Sequence, residues 1–597
     1  MAKSFKFKKP KNQDPASSTD WIKYIPVVLF SLLLFLDPLF LDIKLSRPKL
    51  MLLELGLYGI VFSVIFIDAY FGRLALKKTP ALIPVLLYFT AVSLFYIFSP
   101  DKPVAFNEFK RALLSCIAYI VAANIVNSDK QRAFVLWAWI GGSFLAILYG
   151  VMQHYGGFMQ IMVPKMDRVM STFGNPIFFA VHIVAVFPIA LSLFLVTKSV
   201  KARWFLFAFV VFALWALFYT KTRAAYIGFA VSFIVFIWLN IKSRNIKIIF
   251  ISLIILLSGI FVFSTKSIWA RQQAHALIWR DTLTMWSKTP WFGTGPGTFP
   301  IYFPEFASDE LKKVWPQGKF IVNDAHNEYI QYLSETGIVG FGIFLLVLLT
   351  FFFYANKTIK VMDEKQRIVA VGFISSVIGV LVQNFFSADM RFIISAIYLF
   401  IAIGLLESYR NEYFIIDKIG RYPKFAIFSA ICVSAFFIFP QVPKPYLAQK
   451  KLAAKPDFFD EKILEPAKTV SALLSIAKKH PDQSLVYEKL GWVYSKEKRW
   501  NEAISSYKKA AELDPTNAGP LNNLGNIYFL IGNRQSAIDF WAQSIALKPS
   551  QIDSRLNLAT AYFHQGRLKE SVDQLKEVLR IDSGNEKAIV MLKQMTE

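Results

Sequence analysis

DAHNEYIQYLSETGIVGFGIFLLVLL, residues 324–349, decides the fold. It opens with Asp324, His326, Asn327 and Glu328 and ends as unbroken hydrocarbon, a polar helix start set against a membrane span. The same contrast recurs along the chain. Thirteen apolar blocks are long enough to cross a bilayer, near 24–44, 50–70, 80–98, 108–126, 133–152, 173–197, 204–220, 224–241, 247–263, 327–354, 367–386, 392–409 and 424–440. With 55% apolar and 18% charged residues among 597, the chain is too apolar to be soluble at this length. The expectation is an all-α, polytopic helical membrane protein of about 12–13 spans over residues 24–440.

The N-terminal MAKSFKFKKPK is basic, and the span after it lacks a small-residue cleavage site, so it reads as a retained first helix behind a cytoplasmic tail, 1–23. Loops such as KSVKAR, KSRNIK and KTIKVMDEKQR fall on the side of that tail and are richer in Lys and Arg than the short loops opposite. The bias orients the N-terminus to the cytoplasm and places the loop 264–325 and everything after 440 outside. The net charge of +25 sits mostly in the membrane part, since 470–597 carries 17 Lys/Arg against 14 Asp/Glu. Such a balance suits anionic lipid surfaces and calls for no nucleic acid. Cys116 and Cys432 both fall in expected spans, which leaves neither a disulfide framework nor a cysteine metal site.

A Pro- and Lys-containing linker, 441–469, leads to a segment with a 34-residue period. Leu490, Leu524 and Leu558 fall in register, as do Tyr494, Tyr528 and Tyr562, Ala503 and Ala537, and Pro515 and Pro549. Small residues at Gly491, Gly525 and Ala559 would let paired helices approach closely. The pattern resembles tetratricopeptide repeats over 470–597, an α-solenoid that serves either as a concave surface for a protein partner or as a rigid spacer.

Several polar stretches meet the outer boundary of this topology. RVMSTFGNPIFFA brings Arg168 and Asn175 there, KTRAAYIGFA brings Arg223, and His326 stands at the head of the opening stretch. The loop 264–325 adds Arg280 and Trp286 on an amphipathic helix, then PWFGTGPGTF. Its three alternating glycines lack the Gly-Lys-Ser/Thr ending of a nucleotide loop and read as a tight, aromatic-flanked turn. A lone boundary arginine is usually a headgroup anchor, and a lone His at a helix start is usually a cap. Several on one face point instead to a site.

The order R…STFGNP, then TR at a span start, then R…W…P-x-x-G-x-G-x-G-x-F, then HNEYIQYLSETGIVG resembles the O-antigen ligase family, with its related polysaccharide polymerases and O-oligosaccharyltransferases. The resemblance covers roughly 20–440 and is strongest over 168–342, with Thr222 where the family usually has Ser. It implies a membrane fold like that of C-type glycosyltransferases, and a multi-pass place in the bacterial cytoplasmic membrane. The implied reaction moves a glycan from undecaprenyl diphosphate to lipid A core, another glycan or a protein hydroxyl. A diphosphate leaving group needs positive charge, and the acceptor hydroxyl needs a base. Arg223, Arg280 and Arg168 suit the first role and His326 the second, with Asn327, Asn175, Trp286 and Gly295 in support. If Asp324 capped the helix, His326 would lie in its first turn, where the dipole disfavours protonation, with Glu328 or Glu335 orienting it. No Asp-x-Asp signature is present on the outer face, so the expectation is catalysis without metal or cofactor. Two other readings compete. A transporter would place ionisable groups at mid-membrane, where only Glu54 and His182 are candidates. A scaffold would have no use for outer arginines together with His326.

Overall fold

The computed structural model describes residues 20–40, 48–158, 161–250, 252, 272–314, 322–391, 393–445, 447, 469–549, 551–582 and 585–596. The chain divides into two compact units, Met1–Leu447 and Ala448–Glu597. Most of the expected span at 247–263, of the tail 1–23 and of the linker 441–469 lies outside the described residues.

The first unit is a bundle of apolar helices: α1 (Ile25–Leu36), α2 (Pro48–Tyr70), α3 (Leu82–Phe98), α4 (Lys102–Ile125), α5 (Asp129–Tyr155), α6 (Pro176–Val196), α7 (Val200–Tyr219) and α8 (Arg223–Asn240). The loop region contributes α9 (Gln272–Lys288), α10 (Phe299–Phe306) and α11 (Asp309–Val314). The bundle resumes with α12 (Glu328–Ile359), α13 (Glu364–Asn384), α14 (Ile393–Glu407) and α15 (Arg421–Ile438). Among the described residues, nine helices are long and apolar enough to cross a membrane, and α3 and α14 are shorter apolar ones. The protein is thus a multi-pass membrane protein.

The fourth expected span, 108–126, is the buried helix α4, which starts earlier because the Asp101 side chain accepts from the Val104 N–H at 3.0 Å. It carries Glu108 and Arg111 into the bundle. Arg111 pairs with Glu108 at 2.5 Å and Glu328 at 3.0 Å, while Arg391 pairs with Glu335 at 2.7 Å and Glu108 at 3.4 Å. Each charge in this cluster is desolvated and compensated by its neighbours. Glu54 pairs with Lys110 at 2.8 Å, and His182 is buried beside the Ser143 hydroxyl at 3.0 Å.

At one end of the bundle, β1 (Arg73–Lys77) pairs antiparallel with β4 (Tyr413–Asp417), and near the other end β2 (Gly157–Phe158) pairs with β3 (Ile161–Met162).

In the second unit, α16 (Val470–Lys479) precedes three helix pairs, α17 (Ser484–Lys496) with α18 (Trp500–Leu513), α19 (Ala518–Leu530) with α20 (Arg534–Leu547), and α21 (Ile552–His564) with α22 (Leu568–Ile581). A last helix, α23 (Glu586–Thr596), closes the stack. The small positions have a steric cause: a Cβ at Gly491 would stand 2.8 Å from the Tyr507 ring, and one at Gly525 would stand 2.5 Å from Trp541.

Candidate functional site

The stretch RVMSTFGNP reaches the end of the bundle as a Ser171–Phe173 turn, closed by Gly174 in the left-handed region at φ 71°. Asn175 then caps α6, its Oδ1 accepting from the Ile177 N–H at 2.8 Å. Arg168, just before, donates from Nε to the Thr220 carbonyl at 3.0 Å and reaches the Thr222 hydroxyl at 3.5 Å. This ties the α5–α6 connection to the α7–α8 turn. In that turn Lys221 adopts φ 49°, and Arg223 is the first residue of α8. Lys221 pairs with exposed Asp167 at 2.6 Å.

His326 stands outside the helix it was expected to begin. Asn327 is the cap of α12, its Oδ1 accepting from the N–H groups of Tyr329 at 3.0 Å and Ile330 at 3.1 Å. Asp324 instead turns the backbone back on itself, accepting from the His326 N–H at 2.9 Å while its Oδ1 lies 3.1 Å from His326 Nδ1. His326 thereby takes φ 50° and precedes the helix, so the first-turn dipole argument does not apply to it. Nor does either expected glutamate orient the ring. Glu328 pairs with Arg111 and Arg391, and Glu335 is bound by Arg391 and by loop N–H groups. Asp324 does so, together with His275, whose ring stacks on His326 with centroids 4.5 Å apart at 22°. Burial first, then the nearby His326 and Arg223, pull the His275 pKa down to about 4.

A cavity of about 490 Å³ opens among these elements. Arg168, Lys221 and Arg223 supply its cationic wall, and His275 and His326 face it from the loop side. Ile177, Ile227, Trp279 and Phe386 make the rest largely apolar. Trp279 also fastens α9 to the histidine segment, donating from Nε1 to the Ala325 carbonyl at 2.9 Å. Two cavity residues, Lys221 and His326, hold left-handed backbone without being glycine, a strain that persists where surroundings over-determine it.

Arg280 is not brought to this cavity. Its guanidinium binds Glu310 at 2.7 Å, Ser308 at 2.8 Å and Asp281 at 3.2 Å, which holds α9 to the segment opening α11. Trp286 is likewise a fastening, its Nε1 donating to the Pro290 carbonyl at 3.1 Å.

The glycine turn docks against a break in α12. Gly337 has φ 64° and ψ −171°, and a Cβ there would stand 2.2 Å from the Trp291 carbonyl carbon. Thr294 and Gly295 donate N–H bonds to the carbonyls of Ser334 and Glu335 at 3.1 and 2.9 Å, and Ile338 and Val339 donate to Pro290 and Trp291 at 2.9 and 3.2 Å. The Glu335 carboxylate accepts from the N–H groups of Gly297 at 2.8 Å and Phe299 at 3.2 Å. The glycines therefore serve close backbone approach, with Gly293, Gly295 and Gly297 all at positive φ.

Sequence reasoning missed His275, Lys221 and Trp279. The signal was the spacing of His275 and Trp279 on one face of an amphipathic helix; Arg280 is one residue off that face.

Residues 207–345 match a family model described as O-antigen ligase, a segment that includes Arg223, Arg280, His326 and Asn327 but not Arg168 or Asn175. Residues 491–532 and 552–581 match models described as TPR repeat and tetratricopeptide repeat. No curated protein matches the chain. Similar solved structures include the first TPR domain of human RPAP3, with 26% identity over 19% of this chain and 91% of that one and a TM-score of 0.19. MamA has 29% identity over 20% and 70%, with a TM-score of 0.19. The TPR domain of Arabidopsis OM64 has 24% identity over 19% and 93%, with a TM-score of 0.18. The chain is therefore a multi-pass membrane protein that carries an O-antigen ligase domain followed by tetratricopeptide repeats.

Proposed function

We propose that this protein transfers a glycan from an undecaprenyl diphosphate carrier to an acceptor hydroxyl at the outer face of the bacterial cytoplasmic membrane, an O-antigen ligase-type reaction. The observation that carries the reading is one cavity bordered by Arg168, Lys221, Arg223, His275 and His326, with apolar walls beside the membrane helices. With Asp324 Oδ1 3.1 Å from its Nδ1, His326 would keep a proton on that nitrogen and present Nε2 as the base. Nε2 takes the acceptor proton, the acceptor oxygen forms a bond to the anomeric carbon, and the bond from that carbon to the diphosphate breaks. The electron pair leaves with the diphosphate, where Arg223 offers a bidentate fork and Lys221 a point charge. Arg168 holds the turn that presents both. His275, with its pKa near 4, stays neutral beside His326 and adds no competing charge.

The Lys/Arg bias supports an extracytoplasmic cavity, and a cysteine at exposed Asp309, with Cys432→Ser as background, should react with an impermeant reagent. The repeats would meet a protein partner or the acceptor. The deciding test measures donor binding and transfer separately in nanodiscs, with lipid A core, glycan and protein acceptors. His326→Ala should keep donor binding and lose roughly 10²-fold or more in transfer. Normal transfer by that variant would sink the base assignment.

A further inference from the structure

A second and larger cavity lies at the opposite end of the bundle, beneath the two-stranded ribbon. It measures about 910 Å³, within the ~300–1,000 Å³ range of ligand cavities. The helices α2 and α4 form its floor through residues such as Val64 and Val121, and the ribbon closes it with Leu74, Leu76 and Ile415. Much of the hydrogen-bonding capacity of its wall is already used. Asp68 Oδ2 accepts from the Ala75 N–H at 3.2 Å, Asn124 accepts from the Lys77 N–H at 2.6 Å and donates to the Ile120 carbonyl at 2.8 Å, and the Tyr413 hydroxyl donates to Asn127 at 3.1 Å. Water inside would find few partners, whereas a hydrocarbon chain fits such a lining.

The rim is different. Lys77 is buried, with Nζ held by the carbonyls of Val126 and Ser408 at 2.8 Å each. Lys78, the next residue, is exposed, lines the cavity, and stands 4.7 Å over the Phe414 ring. Arg73, Lys418 and Arg421 are exposed at the same end, on or beside the ribbon. Phe414 and Ile416 remain 55% and 64% exposed, an apolar pair suited to the interfacial layer of a bilayer. A hydrocarbon slot beneath a cationic rim is complementary to one kind of molecule.

We propose that this cavity binds an anionic glycerophospholipid, one acyl chain beneath the ribbon and the phosphate headgroup at Lys78. The site is separate from the His326 cavity, and its fate does not depend on the transfer reaction. The full-length protein, washed extensively in detergent, is given phosphatidylglycerol or phosphatidylcholine, and retained lipid is counted by native mass spectrometry. The expected result is one tightly held phosphatidylglycerol, preferred about fivefold, the factor for one lysine near an anionic surface. Lys78→Glu, an exposed position that leaves the fold alone, should abolish the preference, and Ala75→Trp should cut retention of both lipids by filling the slot. Equal retention of the two lipids, a preference that survives Lys78→Glu, or a second protein copy in place of lipid would overturn the proposal.

Discussion

Two sets of arginines sit within the membrane unit, and they live in opposite surroundings. Arg111 and Arg391 are buried among Glu108, Glu328 and Glu335, each charge answered by another. Arg168 and Arg223 border an open cavity with Lys221, His275 and His326, and the nearby carboxylates Asp167 and Asp324 are engaged by Lys221 and His326. A compensated arginine holds helices together, because its field is cancelled within a few ångströms. An arginine at the border of an open cavity, beside other cationic groups, adds to a positive field that an anion from outside can meet. Residue type is the same in both places, and the company decides the role.

The sharpest way to break this contrast is to remove an answer from the buried set. Glu335→Ala deprives Arg391 of its 2.7 Å partner and strips the Gly297 and Phe299 N–H groups of their acceptor. The expected loss is about 3–5 kcal/mol, seen as failure to purify as a monodisperse species or as a sharply lower unfolding temperature. A well-folded Glu335→Ala protein would mean the cluster is not structural.

Next in size is Gly337→Val, which forces a side chain into a backbone region essentially reserved for glycine and against the Trp291 carbonyl. A cost of about 1–3 kcal/mol should undock the glycine turn, read as new protease cleavage between 290 and 298.

In the open set, Arg223→Ala should weaken donor binding by about 1.5–3 kcal/mol, the range for hydrogen bonds to a charged group. Arg223→Lys should restore part of it, and Arg280→Ala should affect donor affinity less than Arg223→Ala does, since Arg280 is held by Glu310 and Ser308. Titration of donor in nanodiscs ranks the three. If Arg280→Ala is the worst, the loop closes over the donor in a way the free structure does not display.

The last effect is a pH slope. His275 is held near 4 in the folded chain against an ordinary 6.5, so unfolded chains take up a proton that folded ones refuse between those values. Stability therefore falls as pH drops through that window, and His275→Gln should flatten the slope in thermal melts at pH 4–7. An unchanged slope would assign the acid sensitivity elsewhere.

Much of this was legible in the chain. Span length and apolarity expose the membrane class, and the 34-residue period exposes the repeats, because both are local and repeated. Arg168, Arg223 and His326 were within reach because each stands at the end of an apolar block, where a charge is conspicuous. Arg280 looked just as conspicuous, but its partners Glu310 and Ser308 lie about thirty residues downstream, and no local pattern couples them. The buried cluster was invisible for the same reason, drawing on α4, α12 and the turn before α14. The helix start was misplaced by three residues because Asp324 and Asn327 are both good caps. Only the observed positive φ of His326 separates the turn from the helix.

The break in α12 also has a consequence for how deeply the protein sits in lipid. As one continuous rod, Glu328–Ile359 would rise about 48 Å at ~1.5 Å per residue, far beyond a hydrocarbon core of ~30 Å. With Pro290 and Trp291 supplying carbonyls to Ile338 and Val339, a separate helix begins at Ile338 and rises about 33 Å to Ile359. The polar turns from Glu328 to Thr336 are then freed from the acyl region. In a bilayer the glycine turn would act as a depth stop, matching the hydrophobic length of this span to the hydrocarbon core and leaving the His326 end of the chain outside it.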